Sequence, residues 1–180
     1  ADRLVVGAGD LVDGGSIVVA KDEGFVQRST DGGRTWVRRE WRGPPGVAFS
    51  RPALLADGSV LVPFYGMDRS GEERTYVWRS TDGGKTFNLL SMGLVASGLH
   101  PSETALVEIS PGRVLALSRS DVDHLGSRYL LERWSDDGGM TWSHPLRTDI
   151  WGYPPHLLML RDGRVLCTYG YRREPMGVRA

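Results

Sequence analysis

Ser29-Thr30-Asp31-Gly32-Gly33-Arg34-Thr35-Trp36 decides the fold, because the chain writes it twice more. The copies are Ser80-Thr81-Asp82-Gly83-Gly84-Lys85-Thr86-Phe87 and Ser135-Asp136-Asp137-Gly138-Gly139-Met140-Thr141-Trp142. Asp31 and Asp82 lie 51 residues apart, and Asp82 and Asp137 lie 55 apart. A second turn keeps the same period: Asp57-Gly58, Pro111-Gly112 and Asp162-Gly163 each split two apolar runs, with glycines 54 and 51 residues apart. Two unrelated turn signals that share a period and a phase mark a structural repeat of about 50 residues. An earlier copy of the second turn falls at Asp13-Gly14, which gives the first unit a shorter connection.

The turn chemistry explains the motif. An Asp carboxylate accepts bonds from backbone N–H groups two to four residues on, and Ser and Thr add local bonds of the same kind. Glycine supplies positive φ. The closing Trp or Phe is expected to anchor the sheet interior. The motif is therefore read as a staple for a hairpin and not as catalytic machinery.

Between the turns, each period divides into four short strands. In the third unit they are predicted over Glu103 to Ile109, Val114 to Ser118 and Arg128 to Trp134, with a short fourth from Trp142 onward. Val, Leu, Ile, Tyr and Trp dominate these runs, and no sustained 3.6-residue apolar period predicts a helix. A unit of four strands and about 50 residues has the size of one propeller blade. The blades are placed at roughly 1–45, 46–97, 98–149 and 150–180, all within one domain.

Composition fits. Gly accounts for 24 of 180 residues, near twice the usual share, and the glycines sit in turn clusters. Lys plus Arg and Asp plus Glu are 22 each, for a formal net charge of zero, which argues against nucleic acid as the main partner. No apolar run is long enough to span a membrane. Cys167, the single cysteine, has no partner for an internal disulfide and reads as a small buried strand residue. His100, His124, His144 and His156 show no metal-ligand spacing with each other or with Cys167. There is no Gly-x-Gly-x-x-Gly before a helix and no Gly-x-Ser-x-Gly elbow. No cofactor is expected, beyond the possibility of a structural calcium in a loop.

The Ser-x-Asp-x-Gly-x-Thr-Trp pattern resembles the Asp box, or BNR repeat, of sialidases. That resemblance implies an all-β, six-bladed type of propeller with four-stranded antiparallel blades, of which about three and a half are present. A fragment is expected, or a ring that closes by association with another chain. It also implies a glycan partner bearing an acidic sugar.

Aligning the units places Glu103 and Arg119 at the two ends of one hairpin, on one edge of the blade. Pro101-Ser102-Glu103-Thr104-Ala105 through Leu117-Ser118-Arg119 resembles the sialidase blade that carries the catalytic glutamate and an arginine of the substrate-binding triad. By that resemblance Glu103 would be the base that activates a tyrosine nucleophile, and Arg119 would hold the sugar carboxylate bidentately. Arg179, where a third strand of the last unit should start, is the next candidate triad arginine, with Arg172 and Arg173 as competitors. Tyr153 and His156 are candidate site-lining residues. Arg51, which precedes Pro52, partly resembles an Arg-Ile-Pro signature without its Ile. The acid/base Asp of the family is not identified, although Asp68 lies just beyond the channel-side end of its strand; nor is the nucleophilic Tyr.

The reading that follows is an exo-sialidase-like glycoside hydrolase, with this segment inactive alone. The rivals are a non-catalytic propeller that binds glycan or protein and a propeller hydrolase for another sugar.

Overall fold

The computed structural model describes residues 3–8, 10–12, 16–18, 24–41, 48, 50–67, 73–92, 101–120 and 128–180. Among them every regular element is a strand. The first sheet takes β1 (Arg3–Ala8), β4 (Gly24–Ser29) and β5 (Val37–Trp41), in the order β1-β4-β5. A separate two-stranded ribbon pairs β2 (Asp10–Val12) with β3 (Ser16–Val18). Asp13-Gly14, the earliest expected turn, lies outside the described residues, between those two strands.

Two four-stranded meanders follow. The first is β6 (Ala53–Leu54), β7 (Val60–Met67), β8 (Glu73–Ser80) and β9 (Asn88–Ser91). The second is β10 (Pro101–Ser110), β11 (Arg113–Ser120), β12 (Tyr129–Ser135) and β13 (Leu146–Trp151). A three-stranded sheet closes the chain: β14 (Pro155–Met159), β15 (Val165–Tyr171) and β16 (Gly177–Arg179). Every pairing is antiparallel between sequence neighbours within its sheet. The first strands of these units pack together, β10 lying against β14 on one side and against β6 and β7 on the other.

Both faces of the middle sheets are buried, which is why their strands read as apolar runs and not as alternating patterns. Val60, Val62 and Phe64 of β7 join Tyr76 and Trp78 in one cluster. Leu61, between them, points the other way and meets Leu106, Val114 and Ala116 of the next sheet. One sheet further on, Ala105, Val107 and Leu117 pack with Leu130 and Leu157. Cys167 is half-buried at the edge of that cluster, where burial pushes its thiol pKa up.

The three Ser-x-Asp turns are superposable in their bonding. Each Asp accepts the Thr hydroxyl at 2.6–2.7 Å. It also accepts the Thr backbone N–H at 2.9 Å and the hydroxyl of the Ser two residues before it. Both glycines of each turn have positive φ, as in Gly83 at 70° and Gly84 at 80°.

Two expectations are corrected. The fourth strand of the third unit starts at Leu146, not at Trp142. Trp142 belongs to the turn, donating Nε1–H to Gly139 O at 3.1 Å, and Ser143 N–H then bonds Trp134 O. The closing aromatic also anchors the interior less than expected. Trp36 is 38% exposed because its indole folds back over its own turn to Gly33 O, while Phe87 and Trp142 pack only at the margins of the clusters.

Candidate functional site

The mouth of the β10–β11 hairpin shapes the site. Pro101 pairs with Ser120 and Thr104 with Ser118, so Ser102 and Glu103 on β10 oppose the single Arg119 on β11. Such a bulge rotates a side chain out of its regular alternation and is a common device beside functional sites. Here it brings Glu103 onto Arg119, with Nη1 to Oε2 at 3.0 Å. Beneath the pair the Thr104 and Ser118 hydroxyls bond each other at 2.8 Å, and Thr75 of the preceding sheet donates to Pro101 O at 2.7 Å. Glu103 is 7% exposed, so Arg119 is the cation described against it in a largely buried position.

Tyr153 comes to the same place from the link between β13 and β14. Its backbone lies against β15, with Tyr153 N–H donating to Gly170 O at 3.0 Å. Two glycines permit that approach. A Cβ on Gly152, whose φ is 143°, would meet Gly170 O at 2.5 Å, and one on Gly170 would meet Tyr153 O at 2.8 Å.

The ring so placed is 5% exposed and seats three guanidiniums. The Cζ of Arg119 is 4.0 Å from its centroid, that of Arg172 4.8 Å and that of Arg128 5.5 Å. Arg128 also donates Nη1–H to the Tyr153 hydroxyl at 2.6 Å. The ring quadrupole attracts each cation but removes no charge. Three guanidiniums and, among the described residues, one carboxylate thus meet around this ring.

The other candidates divide between two places. Arg51 and His156, both exposed, line a cleft of about 360 Å³ with Ser50, Pro155, Tyr169 and Gly170, beside the Tyr153 cluster. Arg179 is not in the cluster. It pairs with Tyr169 across β15–β16 and stacks on Tyr171, 3.6 Å from the centroid. Arg173 likewise stacks on Trp151 at 3.8 Å. Arg172, named only as a competitor to Arg179, is the residue that reaches Tyr153. Asp68, His100 and His124 lie outside the described residues.

Sequence reasoning assigned no site role to Arg128. The signal was available: in an antiparallel meander the first and third strands start at the same rim, so a residue that opens the third strand stands beside Glu103 at the start of the first. Among the described residues no group of three or more His, Cys, Asp or Glu side chains could hold a metal ion, and no helix is long and apolar enough to cross a membrane.

Consecutive antiparallel sheets, packed face to face along their first strands and bearing a carboxylate and arginines at one rim, define a protein of the propeller-like repeat class. The chain belongs to the BNR repeat-like domain family, whose description matches residues 13–180. Solved structures agree on the fold. A Dyadobacter fermentans protein of unknown function is 26% identical with a TM-score of 0.76, over 93% of this chain and 49% of that one. The NanB sialidase of Streptococcus pneumoniae is 16% identical with a TM-score of 0.63, over 82% of this chain and 23% of its own. An α-L-arabinanase of Penicillium chrysogenum, solved with arabinobiose, is 15% identical with a TM-score of 0.67, over 98% and 57%. The chain thus spans between about a quarter and somewhat over half of these structures. No curated protein sequence matches it. The fold is thus shared with the NanB sialidase and the arabinanase.

Proposed function

We propose that this chain forms part of the sugar-binding rim of a sialidase-like, exo-acting glycoside hydrolase of six-bladed type, which takes a terminal acidic sugar. The observation that carries the reading is the Tyr153 cluster. Arg119 is held between the Glu103 carboxylate and the Tyr153 ring, with Arg128 and Arg172 on the same ring. A sugar carboxylate fits such a centre, since guanidiniums bind it bidentately and in a fixed plane. Arg51 and His156 line the neighbouring cleft and would contact the remainder of the sugar. In this reading Glu103 acts as a base toward a hydroxyl nucleophile. Its contact with Arg119 uses Oε2.

Turnover of a chromogenic sialoside by the full-length protein, with the variants made in it, tests the proposal. Glu103→Gln is expected to lower kcat by about 100-fold or more, the usual weight of a positioned acid or base. Arg119→Ala is expected to raise KM and lower kcat/KM. Turnover of every acidic glycoside unchanged in both variants would refute the assignment.

A second reading, a non-catalytic glycan binder, is favoured by one observation: the carboxylate described in the cluster is already ion-paired to Arg119. In that case both variants lose affinity and the unmodified protein shows no turnover.

A further inference from the structure

We infer that the outer part of this rim is a second anion-binding subsite, where Arg173 on Trp151 and Arg179 on Tyr171 hold a further carboxylate of a polyanionic glycan. The inference rests on the proposed reading that the Tyr153 cluster holds the first acidic sugar.

Trp151 ends β13 and Tyr171 ends β15, so two neighbouring sheets deliver their aromatic ends to one place. The rings meet edge to face, with centroids 5.6 Å apart and planes at 73°. Each carries its own guanidinium, Arg173 at 3.8 Å and Arg179 at 3.6 Å. Stacking fixes the plane of a guanidinium and covers its face. The in-plane N–H donors remain outside, and those are the groups that grip a carboxylate. Among the described residues neither arginine makes an ion pair. Glu174, next to Arg173, and Asp149, two residues before Trp151, are exposed and form no described salt bridge with them, and Asp162 is paired with Arg164.

The two subsites are joined by consecutive residues. Arg172 reaches Tyr153 while Arg173 reaches Trp151, so one backbone step separates an inner guanidinium from an outer one. A ligand with carboxylates on successive sugars would engage both. A nucleic acid strand fits less well. Stacking platforms for bases need open ring faces, and here guanidiniums already occupy faces of Trp151, Tyr153 and Tyr171. The formal net charge of zero also gives little long-range attraction for a phosphate polymer.

Titration calorimetry on the 180-residue chain tests this. The probes are N-acetylneuraminic acid, its α2,8-linked trimer, trigalacturonate with its monomer, the methyl esters of both trimers, and a thymidine hexanucleotide. We expect at least one trimer to bind about tenfold or more tighter than its monomer, the scale of one added charge-assisted contact. Esterification should remove that advantage. So should the double variant Arg173→Gln/Arg179→Gln, with monomer binding unchanged.

The inference is overturned if neither trimer exceeds its monomer. It is equally overturned if the double variant keeps the advantage, or if the hexanucleotide binds more tightly than the trimers. Arg119→Gln separates the two proposals. Loss of the trimer advantage in the double variant, with monomer binding indifferent to Arg119→Gln, would leave the outer subsite standing and sink the Tyr153 reading.

Discussion

At the scale of single residues, Tyr153 has two separable parts, a ring that seats three guanidiniums and a hydroxyl that takes a hydrogen bond from Arg128. Tyr153→Phe removes the second part alone. It should cost about 1 kcal/mol of stability, the usual net value of one hydrogen bond, and weaken acidic-sugar binding a few-fold. Tyr153→Ala removes the seat itself and should cost about 3–5 kcal/mol. Chemical denaturation and calorimetry distinguish the two. The turn aspartates add a pH dependence. Bonds from the Thr35 side chain and backbone hold Asp31 well below the usual carboxylate range, and those from Thr86 do the same for Asp82. At Asp137 burial pushes upward, but the bonds from Thr141, Ser135 and Met140 outweigh it. A folded-state pKa below the unfolded one stabilises above the unfolded value, and the gain is lost as pH falls through the folded value. Melting temperature should therefore be flat near neutrality and drop as the pH goes below about 4. Asp82→Asn should lower it at pH 7 and lessen the drop. The role of these aspartates was legible in the sequence because every bond is local. The Tyr153 cluster was legible only in pieces, since Arg119, Arg128, Tyr153 and Arg172 come from separate strands and a link, and no spacing rule joins them.

At the scale of elements, the second glycine of the turn does more than adopt positive φ. A Cβ on Gly139 would stand 2.7 Å from Leu61 Cδ1 of the previous sheet, whereas one on Gly58 would meet nothing within 4 Å. Both have φ above 80°. Gly58→Ala should cost on the order of 1–3 kcal/mol from backbone strain alone, and Gly139→Ala measurably more, because a fully buried core leucine must also move. Equal losses in urea titrations would count against close packing between the sheets. In the two four-stranded sheets the strand order followed from the repeat, since both turn types state where strands must end; the first unit departs from it, with β1 paired directly to β4 and β2–β3 a separate ribbon. The start of β13 did not, because Trp142 reads as a strand residue and only the folded turn shows its indole committed to Gly139 O. Nor did the bulge at Ser102–Glu103, which arises from pairing with β11 and leaves no local mark.

At the scale of the whole molecule, the sheets cohere through a few cross-sheet contacts and the apolar clusters between them. Glu108 is one such tie: Oε1 accepts Gly112 N–H at 2.9 Å and Oε2 accepts Ala56 N–H of the preceding sheet at 2.7 Å. Glu108→Gln keeps the shape but replaces one acceptor with a donor, and should lower stability by about 1–3 kcal/mol. The repeat made the face-to-face order of sheets readable, because identical units can only bury their apolar faces against one another. Which side chains meet at the rim depends on the twist and offset between sheets, and that is a property of the assembled molecule. The central claim is that this rim gathers arginines around Tyr153 to receive an anionic sugar. A crystal structure of the chain with N-acetylneuraminic acid tests it most directly. The account predicts the sugar carboxylate within hydrogen-bond distance of Arg119 and of Arg128 or Arg172. An ordered sugar bound elsewhere, with the Tyr153 cluster untouched, would contradict it.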